Sequence, residues 1–232
     1  MDLYDRLVNM MYPLMRVYHR LEVIGEDNVP PEGEGCIITP NHTNWFGWDA
    51  LVVGAALRHR HVRWVSWSYE KEMPLWDKMV SACDAILFNK DNPFPYDDIV
   101  ENTLKPGGVV GIFPEGNNNV VGQWYRLRPF FPGCVRLSVM SGAPIVPTAV
   151  VGIEKASPIF RAKENDDEPI TDLIAYPGVL PTKACVIFGN PVRPPLTEAD
   201  LGDPEKLRAA AREIQLDVLD LLKPFRPNAR AE

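Results

Sequence analysis

Cysteine is scarce and scattered: Cys36, Cys83, Cys134 and Cys185 stand far apart, and no Cys-x-x-Cys occurs. That excludes a disulfide framework and a thiolate metal site, and fits the reduced core cysteines of a cytosolic protein. No His, Cys, Asp or Glu cluster has metal-ligand spacing, so no metal is expected. No apolar run approaches the length that spans a bilayer. A basic excess is missing too. The 24 Lys and Arg stand against 31 Asp and Glu, a net charge of −7, whereas nucleic-acid binding needs a basic footprint. The Gly-x-Ser-x-Gly elbow of an α/β hydrolase is absent. Asp2 and Asp5 spoil the basic start of a secretory signal, and no apolar core follows them. Internal repeats and a linker between two domains are also lacking.

What is plentiful is proline, 23 of 232 residues. The prolines cluster in connections, so long, stiff loops are expected. Between them, strand-like runs alternate with helical patterns. Residues 21–24, Cys36 to Thr39, Val62 to Ser66, Ala85 to Phe88, Val109 to Phe113, Ile145 to Val151 and Lys183 to Phe188 read as strands. Leu51 to Leu57, Asp97 to Leu104, the stretch around Val135 to Val139, and Pro204 to Leu222 read as helices. Such alternation predicts a single α/β layer structure, with sites in loops at strand ends. Glu154 to Lys183 reads as a long polar excursion with a short helix at Thr171 to Ala175. We expect residues 21–224 to form one domain and residues 225–232 a flexible, frayed tail.

Residues 1–20 repeat apolar side chains at helical spacing, from Leu3 and Leu7 through Met10, Met11, Leu14 and Val17. Pro13 is expected to kink this helix. An amphipathic helix of this kind fits an in-plane membrane helix and a helix packed on the core equally well. The basic cluster Arg58-His59-Arg60-His61-Val62-Arg63 precedes Trp64, Trp67, Tyr69 and Trp76. Cations beside aromatics suit an anionic membrane surface, and also a solvated helix end with half-buried tryptophans.

Two stretches carry chemistry. The first is Pro40-Asn41-His42-Thr43-Asn44-Trp45-Phe46-Gly47-Trp48-Asp49. A histidine sits where a strand ends, and a carboxylate sits where the next helix begins. A carboxylate that accepts one imidazole N–H fixes the tautomer and leaves the other nitrogen free as a base. Read alone, the pair also fits a histidine and an aspartate that merely cap their elements. The second stretch is Ile112-Phe113-Pro114-Glu115-Gly116, again after a strand-like run.

Together these stretches resemble the glycerophospholipid (lysophospholipid) acyltransferase superfamily, typified by 1-acylglycerol-3-phosphate acyltransferase. Its first motif is Asn-His, four residues, then Asp, and its third is Phe-Pro-Glu-Gly. Ala85 to Lys90 looks like its second motif, and Ile145 to Ala149 like its fourth. The resemblance runs from about Glu22 to Pro194. It implies a single-domain layered α/β fold, with a central mixed, mostly parallel sheet flanked by helices. It also implies acyl transfer from acyl-CoA or acyl carrier protein, a co-substrate and not a cofactor, to a lysolipid hydroxyl. His42 and Asp49 would be the catalytic pair. Asn44, Lys90, Glu115, Gly116 and Asn117 would lie at the acceptor, with Arg126 and Arg128 close behind. The chain would then work in the cytoplasm, peripherally on membrane lipids.

Three departures mark this chain. Six residues separate His42 from Asp49, and Gly47 holds the usual Asp position. Asn117-Asn118-Asn119 replaces the usual Thr-Arg after Phe-Pro-Glu-Gly, and Lys90 stands at the second motif's arginine. Lys90 suits a phosphate as a point charge, or a solvent-facing turn. Glu115 suits the acceptor, or the loop's own backbone N–H groups. A non-catalytic lipid- or acyl-chain-binding protein on the same scaffold is the alternative that these departures leave open. Geometry separates the two: an enzyme needs the His42 imidazole within about 3–4 Å of Asp49.

Overall fold

The computed structural model describes residues 3–44, 47–68, 74–165 and 168–232. Of the residues discussed above, Asp2, Trp45, Phe46 and Tyr69 lie outside that set.

In chain order, helix α1 (Leu3–Tyr18) leads to β1 (Glu22–Ile24), β2 (Cys36–Pro40), α2 (Trp48–Ala56) and β3 (Val62–Trp67). Then come α3 (Pro74–Ala82), β4 (Ile86–Phe88), α4 (Tyr96–Ile99), which continues as a wider turn through Leu104, and β5 (Val109–Gly111). After these lie β6 (Arg126–Leu127), α5 (Gly133–Ser141), β7 (Ile145–Val151), β8 (Ile159–Asn165) and β9 (Glu168–Ala175). The chain finishes with β10 (Cys185–Phe188), α6 (Pro204–Leu222) and β11 (Arg230–Ala231).

Seven strands form one sheet in the order β1-β10-β7-β2-β5-β3-β4. Every neighbouring pair runs parallel except β10 with β7. This is the mixed, mostly parallel sheet that the resemblance implies, within the α/β layers expected from the alternation. Successive residues face opposite layers, as a pleated strand requires. In β2, Ile37 joins the apolar layer of α5 and α6, while Cys36 and Ile38 join that of α1 and α2. Both faces of the central strands are covered, so they read as unbroken apolar runs and not as alternating ones.

One side of α1 packs on the core. Tyr4, Val8 and Met15 are buried against the α2 layer, while Leu3, Met10, Leu14 and Val17 remain exposed. The helix runs on through Pro13. Among the described residues, no helix is long and apolar enough to cross a membrane. The basic cluster after α2 serves the fold. Arg60 is buried and donates to the carbonyls of Pro30, Glu34 and Gly107. Arg63 pairs with Asp84 at 2.8 Å.

Two expectations need correction. The excursion holds no helix at Thr171 to Ala175: β8 and β9 pair there as an antiparallel hairpin. Ile170, Thr171 and Ile174 are β-branched, which suits a strand better than a helix. Nor does the end of the chain fray. β11 pairs with β6, Arg230 opposite Arg126 and Ala231 opposite Leu127. Ala229 is buried, and the Glu232 N–H donates to Leu127 O at 2.9 Å.

One buried contact fixes α1 to the start of α2. The Trp48 indole N–H donates to His19 Nε2 at 3.0 Å, and His19 Nδ1 lies 3.2 Å from Thr182 Oγ1. An accepting Nε2 requires the neutral ring, and burial holds this imidazole below its ordinary value of 6.5. Below that pH the unfolded histidine takes up a proton that the folded one resists. This contribution is therefore whole above pH 6.5 and is lost as pH falls toward the folded value. In urea melts, the native chain's stability advantage over His19→Asn should be largest near pH 7 or above and narrow toward pH of about 5.5. An advantage that does not change with pH contradicts this account.

Candidate active site

The sheet register sets the site. β2 and β5 are neighbours, with Ile38 opposite Gly111. His42 and Glu115 each lie four residues further on, so they leave the same end of the sheet at the same level. Their meeting follows: the His42 backbone N–H donates to Glu115 Oε1 at 2.8 Å. This is the carboxyl end of parallel strands, where α/β folds build their sites.

The six intervening residues do not separate His42 from Asp49. Nδ1 of His42 lies 2.7 Å from Asp49 Oδ2. The same oxygen accepts the backbone N–H of Thr43 at 3.1 Å and of Asn44 at 3.2 Å. Gly47 adopts a left-handed φ of 63° before the first turn of α2. It is a turn residue, and the carboxylate has moved two positions along onto the helix. There Asp49 is buried beside the free N–H groups of the helix start, which favour an anion.

The imidazole is also held from its face. Its ring stacks on Phe113 with centroids 4.0 Å apart, and Phe113 stacks on Trp64 at 5.1 Å. Gly111 admits that stack, since a Cβ there would stand 2.4 Å from the Trp64 ring. Trp64 thus packs against the site, which is a role apart from a membrane interface.

Glu115 is almost fully buried and has a second set of donors. Its Oε2 accepts Asn119 Nδ2 at 2.8 Å and the Arg128 backbone N–H at 3.0 Å. Burial pushes its carboxyl upward, and the N–H groups of His42, Arg128 and Asn119 oppose the shift. Asn119 also donates its own backbone N–H to His42 O at 3.1 Å. Gly116 closes the turn by donating to Phe113 O at 3.1 Å.

The other expected residues divide. Glu115, Asn117, Arg126 and Arg128 line one cavity of about 590 Å³. Asn44 is wholly buried, and its Nδ2 donates to Ile153 O at 3.3 Å, so it braces the loop. Lys90 is exposed beyond β4, the sheet's edge strand, and does not line the cavity. Arg126 is ion-paired with Glu232. Sequence reasoning missed Phe113 as a platform, Asn119 as a clamp, and Arg208 and Arg212 of α6 as cavity walls. Spacing alone held a signal only for the two arginines, one turn apart on a helix. Among the described residues, no group of three or more His, Cys, Asp or Glu side chains is placed to hold a metal ion.

Glu115→Ala removes acceptors for three N–H donors on three segments. We expect it to lower stability by at least about 3 kcal/mol, since three bonds to a buried carboxylate are lost at about 1.5–3 kcal/mol each and neighbouring losses do not add fully. A denaturant melt checks this, and a loss below about 1 kcal/mol contradicts the clamp role.

Known proteins resemble this chain in sequence and in fold. The family model described as Acyltransferase matches residues 20–151. An uncharacterized protein of Mycobacterium tuberculosis is 25% identical over 205 residues, covering 78% of this chain and 55% of its own length. The chain thus spans about half of that relative. A 1-acyl-sn-glycerol-3-phosphate acyltransferase of Bacillus subtilis is 22% identical over 160 residues, covering 68% of this chain and 76% of that protein. The crystal structure of a 1-acyl-sn-glycerophosphate acyltransferase from Thermotoga maritima shares the fold. Its TM-score is 0.61 at 15% identity, over 95% of this chain and 78% of that one. The family model covers more than half of the 232 residues, including both the His42 and Glu115 stretches, and the chain belongs to the acyltransferase family.

Proposed function

We propose that the chain transfers an acyl group from an acyl thioester, acyl-CoA or acyl carrier protein, to the hydroxyl of a lysophospholipid or related glycerolipid. The observation that carries this reading is the 2.7 Å contact between His42 Nδ1 and Asp49 Oδ2. A non-catalytic binding protein has no need of that contact.

With Nδ1–H donated to the carboxylate, Nε2 keeps its lone pair. It takes the acceptor's hydroxyl proton as the oxygen attacks the thioester carbonyl carbon. Asp49 stabilises the imidazolium that forms. The tetrahedral intermediate collapses, the carbon–sulfur bond breaks, and the departing thiolate takes the proton back from Nε2. The acceptor supplies the nucleophile, so no enzyme serine is needed. The Bacillus subtilis relative supports a glycerolipid acceptor. We assign the acceptor's polar end to the cavity shared by Glu115, Asn117, Arg126 and Arg128, and not to Lys90.

A lipid substrate brings the chain to a bilayer surface. Leu3, Met10, Leu14 and Val17, exposed by 52, 65, 46 and 80%, fall on one side of α1 and suit the headgroup layer. The four free cysteines fit the cytoplasmic side.

Incubation with a panel of lysolipids and acyl-CoA should give product, and His42→Ala should cut its rate by about a hundredfold or more. A panel without product from the native chain overturns the proposal. Leu14→Ser with Val17→Ser, which leaves the buried face of α1 intact, should reduce sedimentation with anionic vesicles severalfold. Unchanged sedimentation contradicts the membrane role of this stripe.

A further inference from the structure

A helix that packs on a core buries its apolar side and turns its charges to water. Helix α3 departs from that rule. Leu75 and Met79, one turn apart, are exposed by 80 and 52%. The one buried residue of α3 is a carboxylate, Asp77, which accepts the Ser68 hydroxyl at 2.6 Å. Trp76 and Val80 are only half-buried. Two exposed apolar side chains make a small patch by themselves, and their meaning depends on what lies beside them.

The topology puts α3 on the α1 and α2 side of the sheet. The crossovers from β2 through α2 to β3, and from β3 through α3 to β4, step the same way along the sheet. Right-handed crossovers that step the same way place their helices on one face. Side chains then join α3 to α1. His61 stacks on Tyr4 with centroids 4.3 Å apart, and stands 3.8 Å from Asp5 of α1 and 3.6 Å from Asp84, just past α3. At the other end of α3, a Cβ on Gly47 would meet the Trp76 ring at 3.7 Å, so the helix starts beside the turn between His42 and Asp49. Charge is divided in the same sense. Asp5 and Asp77, the acids described in these two helices, face His61 and Ser68. Arg6, Arg16 and Lys78 are exposed. Apolar side chains among exposed cations suit an anionic bilayer.

We propose that α3 is a second bilayer-contacting helix, which lays Leu75 and Met79 into the headgroup layer alongside the exposed side of α1. Its Trp76 end then holds the His42 loop close to the lipid. The contact rests on α3 and its neighbours, whereas its use in presenting an acceptor rests on the acyl-transfer reading.

Hydrogen exchange of the full chain, with and without vesicles of phosphatidylcholine and phosphatidylglycerol, tests the contact. The amides of α3 should gain protection together with those of α1. Leu75→Ser with Met79→Ser should weaken sedimentation with the same vesicles about fivefold. Met79→Trp, which adds an interfacial aromatic, should tighten it. Both side chains are exposed, so the variants keep the fold, which circular dichroism verifies. The serine pair should acylate a short-chain lysolipid dissolved in water at the native rate, and a long-chain lysolipid carried in vesicles severalfold more slowly. Equal vesicle affinity in the native chain and the serine pair overturns the inference. So does protection of α3 by acyl carrier protein and not by vesicles, which makes the partner a protein. Vesicle binding that falls in Leu14→Ser with Val17→Ser but not in the α3 pair removes α3 and keeps α1. Vesicle binding that depends on Leu75 and Met79, without any transfer by the native chain, removes the activity alone.

Discussion

A single carboxylate oxygen closes the loop on which the site depends. Asp49 Oδ2 accepts the His42 ring N–H and the backbone N–H groups of Thr43 and Asn44. A buried anion is costly unless donors replace its water, and here three donors from one loop do so. That requirement explains why the loop tolerates extra length. Its near end is gathered onto the carboxylate. Glu115 works in the same way from the other side, gripping the main chain of His42 while Asp49 grips the ring. The imidazole is thus fixed by two buried carboxylates and one aromatic face.

The sheet makes these contacts possible. Parallel pairing of β2 and β5 brings His42 and Glu115 out together, and the apolar layers on both faces leave the register no freedom to slip. Peripheral elements are tied to the same place. Trp48, next to Asp49, is bonded to His19 at the end of α1, so the helix with an exposed apolar stripe is mechanically continuous with the loop that holds His42. The last strand brings Glu232 to the arginines of the cavity. Helix, loop and tail therefore report to one end of the sheet.

Much of this was legible in the sequence, for physical reasons. Buried strands such as β7 and long helices such as α6 declare themselves by unbroken or periodic apolar runs. Pro204 after Asp203 announces the helix start, and the Asp203 carboxylate indeed accepts the N–H groups of Glu205 and Lys206. The contact of His42 with Asp49 was legible as chemistry but not as distance, because loop length does not reveal where a loop folds back. β11 was illegible: two residues carry no period, and what holds them is a partner a hundred residues away. The hairpin of β8 and β9 was hidden by polar composition, which reads as a surface excursion whichever backbone shape it takes. Arg208 and Arg212 lie outside the apolar period of α6, and only the β6 stretch opposite them makes that part of the helix a cavity wall.

The account turns on Asp49 acting through His42. The most direct measurement is the single-turnover acyl-transfer rate of Asp49→Asn, which keeps the size of the side chain, with near-ultraviolet circular dichroism to verify the fold. The account predicts a folded protein slowed on the order of a thousandfold, because the amide no longer holds the imidazole in the tautomer that frees Nε2 or balances its charge. A folded Asp49→Asn protein that transfers acyl groups at the native rate would contradict it.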